Sequence, residues 1–440
     1  MTGANYLLEV GETKVLIDCG LFQGGRYCDD LNFGKFAYDP ASIDAVFITH
    51  AHIDHIGRLP MLFKAGFRGK IFSTPPTKDF AEHLLMDSEH IMSEEARRAR
   101  KQSPYSSSDV LELLGLWHGI SYHEGIRLGP YTVQFFNAGH ILGSASVVVE
   151  AEGTRTVFSG DLGNCPAPLI QPNEAFGEVD YALIESVYGG RIHESVDLRK
   201  KELERVIEET VKAGGVLMIP AFALERTQEL LYELNELVEN GKIPRVPVFL
   251  DSPLAIRLTA LYQKYSRDVT YFNQEAISLV RNGDAIFDFP GLRMTLRTAQ
   301  SKEIRDVKGA KVVIAGAGMS NGGRILHHER LYLPDHKSTI LFIGYQASGS
   351  LGRRIIDGAK EVKIMGETVA VRARIKAIGG YSAHADQDQL IEWLKPLRHS
   401  VKKVFVVQGE QDQAVALATR ARDELVVDAV VPREGDVENL

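Results

Sequence analysis

The chain has 440 residues, of which 44% are hydrophobic and 25% charged, and a formal net charge of −8. That length suits two large domains or one domain with a large insertion, and the ordinary composition excludes a largely disordered chain. The acidic balance argues against a protein that coats nucleic acid non-specifically, while leaving room for local positive grooves and metal ions.

The opening segment, MTGANYLLEVGETKVLID, reads as a strand pair over 5–9 and 14–18 around Gly11. It lacks the basic and apolar regions of a signal peptide. AVFITH (45–50) reads as a buried strand that ends at the first histidine. A long polar helix is expected over 77–101, its EEARRARKQ end forming a solvated face. Strands follow near 131–136, 145–150, 155–159 and 180–184. From about residue 190 helix and strand alternate: a helix capped by Ser195 to about 213, then GVLMIPAF, ERTQELLYELNELVEN and VPVFLDS, then KVVIAGAG, GGRILHHERLYL, STILFIG and SGSLGRRIIDG. Such alternation implies a largely parallel sheet covered by helices. From about 372 come a strand, a helix (387–396), the strand VKKVFVVQG, another helix and a final strand. No linker-like tract separates the parts, so the second domain is expected to be compactly inserted. No apolar run approaches the roughly 18 residues of a membrane span. The odd set Cys19, Cys28 and Cys165 forms no disulfide framework and fits a reducing cytoplasm.

The chemistry concentrates in HAHIDHIGRLP. Alternate side chains of an extended segment share a face, so His50 and His52 can grip one ion. The turn that follows lets Asp54 and His55 point at a second. Imidazole with a carboxylate suits zinc, with manganese or iron as substitutes. NAGHILGSAS puts His140 on a glycine-flanked turn, and FSGDLGN puts Asp161 at a strand end between glycines. A carboxylate there can bridge two cations. Asp18, ending KVLID, is expected to orient a ligand imidazole by hydrogen bond.

These residues resemble the metallo-β-lactamase superfamily. LIESVYGGR, PAFALERTQEL, DSPLA, GAGMSNGGRILHH, GYQASGSLGRR and GGYSAHAD further resemble the β-CASP nucleases, over almost the whole chain. The resemblance implies an α/β fold: an αββα sandwich from 1–189 and 372–440, with a parallel-sheet β-CASP domain inserted over 190–371. It implies two Zn2+, one on His50, His52 and His140, the other on Asp54 and His55, with Asp161 bridging and Asp54 also counted among the catalytic residues. Glu185 and His384 correspond to the first two β-CASP motifs and act together near the leaving group. The substrate implied is single-stranded RNA, threaded between the domains of a cytoplasmic and often homodimeric enzyme. Two departures stand out. Gln408 occupies the place of a third-motif histidine, which predicts a weakened second metal site and leaves RNA against DNA open. The family's opening strand is also expected to be missing.

From these parts the chain reads as a zinc-dependent ribonuclease, with endonucleolytic and 5′-to-3′ exonucleolytic modes both open. His384, oriented by Glu185, is the expected general acid. RNA contacts are expected from the loop 316–323, with Ser320, Gly322, Gly323 and Arg324, and from Arg226, Arg353 and Arg354. His327 and His328 read as structural. Two alternatives stand beside this reading: a small-substrate ester or thioester hydrolase, which the metal site alone would allow, and a non-catalytic RNA-binding or assembly protein, suggested by Gln408.

Overall fold

The computed structural model describes residues 3–22, 31–98, 100, 102–194, 196–347 and 349–440; Cys28 and the expected cap Ser195 lie outside them. The chain divides into two compact units, Met1–Ile192 with Ala383–Leu440, and His193–Ser382. Residues 372–382, assigned from sequence to the outer domain, fall within the second unit.

In the first unit, β1 (Tyr6–Val10) and β2 (Thr13–Ile17) form the expected hairpin. β3 (Ala45–Phe47), β4 (Lys70–Ser73) and β5 (Trp117–Gly119) then add in parallel, giving a five-stranded sheet in chain order. β6 (Ile126–Leu128), β7 (Tyr131–Asn137), β8 (Ala145–Ala151) and β9 (Thr154–Phe158) make an antiparallel meander, and β10 (Tyr181–Glu185) joins β9 in parallel. β7 shows why the meander forms: Tyr131, Val133, Phe135 and Asn137 are buried while the residues between them are half-buried, the period-two pattern of a sheet.

The second unit holds β11 (Val216–Pro220), β12 (Val248–Leu250), β13 (Leu292–Met294), β14 (Lys311–Ala315), β15 (Thr339–Phe342), the hairpin β16 (Glu361–Ile364) and β17 (Glu367–Ala370), and β18 (Arg374–Ala377). Six of these form a parallel sheet in the order β13-β12-β14-β11-β15-β18. β11 and β14 are buried at every position, as strands covered on both faces must be. The chain then returns to the first unit as β19 (Lys403–Val407) and β20 (Ala429–Val430), completing a seven-stranded sheet in the order β20-β19-β10-β9-β8-β7-β6.

The two sheets of the first unit meet through aromatic pairs, Tyr6 with Phe158 and Phe47 with Phe135. Beyond the larger sheet, Leu390, Trp393 and Leu394 of helix Gln387–Leu394 and Leu417, Ala418 and Ala421 of helix Gln411–Leu425 cover Val148, Val157, Ile184 and Val406. Helix Pro75–Arg98 packs beside β5, and its Arg97 and Arg98 are solvated against Glu94. Helices, two sheets and helices make the expected αββα order, with a parallel-sheet α/β unit inserted. β3 ends at Phe47, earlier than the sequence suggested, so His50 lies beyond the strand. Helices Ser107–Leu114, Pro253–Tyr265 and Gln274–Arg281 and the β16–β17 hairpin were not anticipated.

Candidate metal centre

Strand ends and turns of the first unit deliver the site. Beyond β3 the chain runs through Thr49–His52 into the short helix Ile53–Ile56, which carries Asp54 and His55. His140 follows β7, Asp161 follows β9, and Glu185 is the last residue of β10. His384 pairs as a bridge with Gly163. Gly163 must be glycine, because a Cβ there would lie 1.7 Å from the Gly139 carbonyl oxygen. That close approach sets the His140 and Asp161 turns side by side, and the Ala385 amide donates to Leu162 O (2.8 Å) alongside.

His50, His52, His140 and Asp161 bring one ligand atom each to within 4.8 Å of one another. His50 Nε2 and His140 Nε2 lie 3.0 and 3.1 Å from His52 Nδ1, and 3.3 and 3.5 Å from Asp161 Oδ2. The second carboxylate oxygen, Oδ1, faces His55 Nε2 at 3.3 Å. Behind this ring, Asp18 accepts from the Thr49 amide and hydroxyl (both 2.8 Å) and pairs with His55 Nδ1 at 2.7 Å. Thr49 Oγ1 also lies 3.1 Å from His50 Nδ1, a positioning contact that the sequence reading missed although Thr49 immediately precedes His50. A second group that could hold a cation joins Asp161, Glu185 and His384. Asp54 is buried nearby but belongs to neither group.

The protonation states of His52, His140 and Asp161 suit a cation. Burial, reinforced by neighbouring histidines, lowers the His52 and His140 pKa values well below the usual imidazole value, leaving lone pairs available. Burial opposes charge on Asp161, yet His55, His50 and His384 together hold its carboxyl well below the ordinary range. Burial would also lower His55, but Asp161 and Asp18 outweigh it and raise that imidazole well above its usual value. Three imidazoles and a carboxylate around one point form a donor set suited to zinc.

His384 Nδ1 lies 3.1 Å from Glu185 Oε1 and 3.8 Å from Asp161 Oδ2. Burial lowers the His384 pKa, but Glu185 and Asp161 more than reverse this and bring it to about 9. Glu185 is itself fixed, accepting from the Leu162 amide at 2.8 Å, and its burial raises its pKa. Gln408, in the left-handed region at φ 57°, shares a cavity of about 10 Å³, room for one water, with Tyr6, Asp18, Thr49 and His55.

Three family models match along the chain. Residues 13–195 match the beta-lactamase superfamily domain, 227–355 the Beta-Casp domain, and 368–432 the Zn-dependent metallo-hydrolase RNA specificity domain. A ribonuclease of Thermus thermophilus is 39% identical over 95% of this chain and 92% of its own length. The chain belongs to the β-CASP family of metallo-β-lactamase-fold ribonucleases. An RNase J-like protein of Methanocaldococcus jannaschii is 30% identical over 98% of this chain and 95% of its own. The transcription termination factor FttA of Methanosarcina mazei is 32% identical over 96% of this chain but only 67% of its own. A solved Enterococcus faecalis protein of unknown function shares the fold, with a TM-score of 0.53, 12% identity and coverage of 99% and 96%. Membership in the β-CASP family makes the chain a metal-dependent RNA nuclease, and among the described residues no helix is long and apolar enough to cross a membrane.

The expected RNA contacts of the β-CASP unit divide. Gly322 and Gly323 sit in a turn reached by solvent, just before helix Ile325–Tyr332. Arg353 and Arg354 are exposed, Arg353 paired with Asp357 at 3.0 Å. Arg324 is partly exposed and donates to Asp251 (2.8 Å) and to Thr295 O (2.7 Å). Asp251 also binds His328, Ser301 and Thr295; burial opposes its charge, but these bonds take its pKa down to about 2. His328 is therefore structural, as expected. Two expectations need correction. Ser320 is fully buried and its hydroxyl donates to Glu329; Arg226 is buried and pairs with Glu229. Both side chains are buried and bonded to a buried carboxylate rather than lying on the surface.

Proposed function

We propose that the chain hydrolyses phosphodiester bonds of single-stranded RNA at a centre holding two zinc ions, manganese being able to substitute. The observation that carries this reading is the buried group of His50, His52, His140 and Asp161 with the His384–Glu185 pair beside it. His50, His52 and His140 would hold one ion, and Asp54 and His55 the other. Support for Asp161 as the bridge comes from its two oxygens, one facing His50 and His140, the other His55. When bound, the ions lower the pKa of water and neutralise charge on the scissile phosphate. Gln408 shares a cavity with His55, and a carboxamide is a poorer zinc ligand than imidazole, so the second ion is held more weakly.

The chain's own part is positioning and proton transfer. Glu185, locked by the Leu162 amide, holds His384 through Nδ1, so that Nε2 carries the proton given to the leaving oxygen. Asp18 and Thr49 fix the His55 ring before any ion arrives. The Gly322–Gly323 turn, Arg324 and Arg353 would contact phosphates along the RNA.

Zinc- and manganese-loaded protein, incubated with a single-stranded RNA oligonucleotide beside an Asp161→Asn variant, tests the reading. Native protein should bind metal and cut, and the variant should lose both. Native protein that binds metal yet cuts no RNA would contradict the proposal.

A further inference from the structure

In the parallel sheet of the second unit, the strand order turns around β11. The chain leaves it for β12 and β13 on one side and, after β14, crosses to β15 and β18 on the other. Ligands of open α/β sheets gather beyond the carboxyl ends of strands at such a switch. Three loops meet there, following β11, β14 and β15. On the first sits Phe222, between buried Ala221 and the nearby buried Leu224, yet itself 36% exposed.

Phe222 is held in place by the other two loops. A Cβ on Gly318 would lie 2.7 and 2.9 Å from Phe222 Cδ2 and Cε2, closer than carbon atoms approach, and one on Gly344 would lie 3.5 Å from Cε2. The glycine at 318 therefore makes room for the ring edge against backbone. Gln346 Nε2 donates to both Gly318 O (2.9 Å) and Gly344 O (3.2 Å), tying the two seats together. Thr227 Oγ1 donates to Phe222 O at 2.7 Å and pins the backbone beneath the ring. An exposed phenyl ring that is immobilised in this way loses little entropy when a flat partner stacks on it.

We propose that Phe222, seated on Gly318 and Gly344, is a base-stacking platform for single-stranded RNA in the second unit. This rests on the chain being an RNA nuclease and adds a binding residue to that reading. Every nucleobase has a π-face, so the platform tolerates sequence and contributes affinity rather than base choice. It complements phosphate contacts, which position the strand without gripping its bases.

The test is binding of a short oligoribonucleotide carrying 2-aminopurine to the full chain in chelator, so that no cutting intervenes. Phe222→Leu, which keeps apolar packing but offers no ring, should bind about 10-fold or more weakly, given roughly 1–3 kcal/mol per stacked base. Phe222→Trp should bind at least as well as native protein, with its indole emission quenched by RNA. An oligomer of the same length with abasic sugars should bind native protein and Phe222→Leu alike. Native-like affinity of Phe222→Leu for the normal oligomer, or an indole indifferent to RNA in Phe222→Trp, overturns the platform. Native protein that binds no RNA at all overturns the RNA reading itself, a result separate from the comparison of variants.

Discussion

Individual residues of the centre act through partners as much as through their own chemistry. Asp18 is not itself an expected ligand, yet it holds Thr49 and the ligand His55 together. Asp18→Ala should lower metal affinity by about 10- to 100-fold while leaving the fold intact, as read by titration with a metal-sensitive dye. His384→Ala should reduce kcat by about 10²- to 10⁴-fold with bound metal unchanged, as metal analysis beside single-turnover cleavage would show. Outside the centre, Glu329 is fully buried, and burial lifts its pKa from 4.5 to about 8 against the single bond from Ser320. A carboxyl with a raised folded pKa stabilises most below its unfolded value, near 4.5, and that contribution fades as pH climbs through about 8. Glu329→Gln, neutral at every pH, should therefore gain stability relative to native protein between pH 5 and pH 8, by an amount on the order of a few kcal/mol. Denaturation midpoints of the second unit at the two pH values check the sign.

At the scale of elements, the centre is made of strand ends and turns packed so closely that backbone must face backbone. Gly163→Ala would drive a methyl into the Gly139 carbonyl, so the His140 and Asp161 turns would have to part. The variant should melt several degrees lower and bind metal weakly, whereas an unchanged melting curve would show that the turns have slack. This scale also explains what could be read in advance. The His-x-His-x-Asp-His spacing announces its chemistry because those residue types rarely cluster without a metal. β7, β11 and β14 declare themselves through hydrophobic period or continuous burial. Ser320 and Arg226 misled because a sequence displays a charge or hydroxyl but not the buried Glu329 or Glu229 that pairs with it. Thr49 and Phe222 went unnoticed for a related reason. Their roles depend on segments far away in sequence, Asp18 in one case, Gly318 and Gly344 in the other. The helices Pro253–Tyr265 and Gln274–Arg281 open on the N-caps Ser252 and Asn273, whose side chains accept from the Ala255 and Ala276 amides.

For the molecule as a whole, the ligand group joins distant segments, His52 lying 88 residues before His140, with His50 and His52 ahead of the meander, His140 within it and Asp161 just after it. A cation that binds only this folded arrangement stabilises it by mass action, by about 2.7 kcal/mol at a hundredfold excess over its dissociation constant. Metal-dependent cleavage of RNA is tested most directly with 5′-labelled single-stranded RNA, and single-stranded DNA beside it, incubated with the full chain in zinc or manganese and then with excess chelator. Cleavage of RNA that stops with chelator and returns on adding metal is the predicted result, and the product ladder reads internal against terminal cutting. RNA that stays intact with metal bound, or cleavage that ignores the chelator, would contradict it.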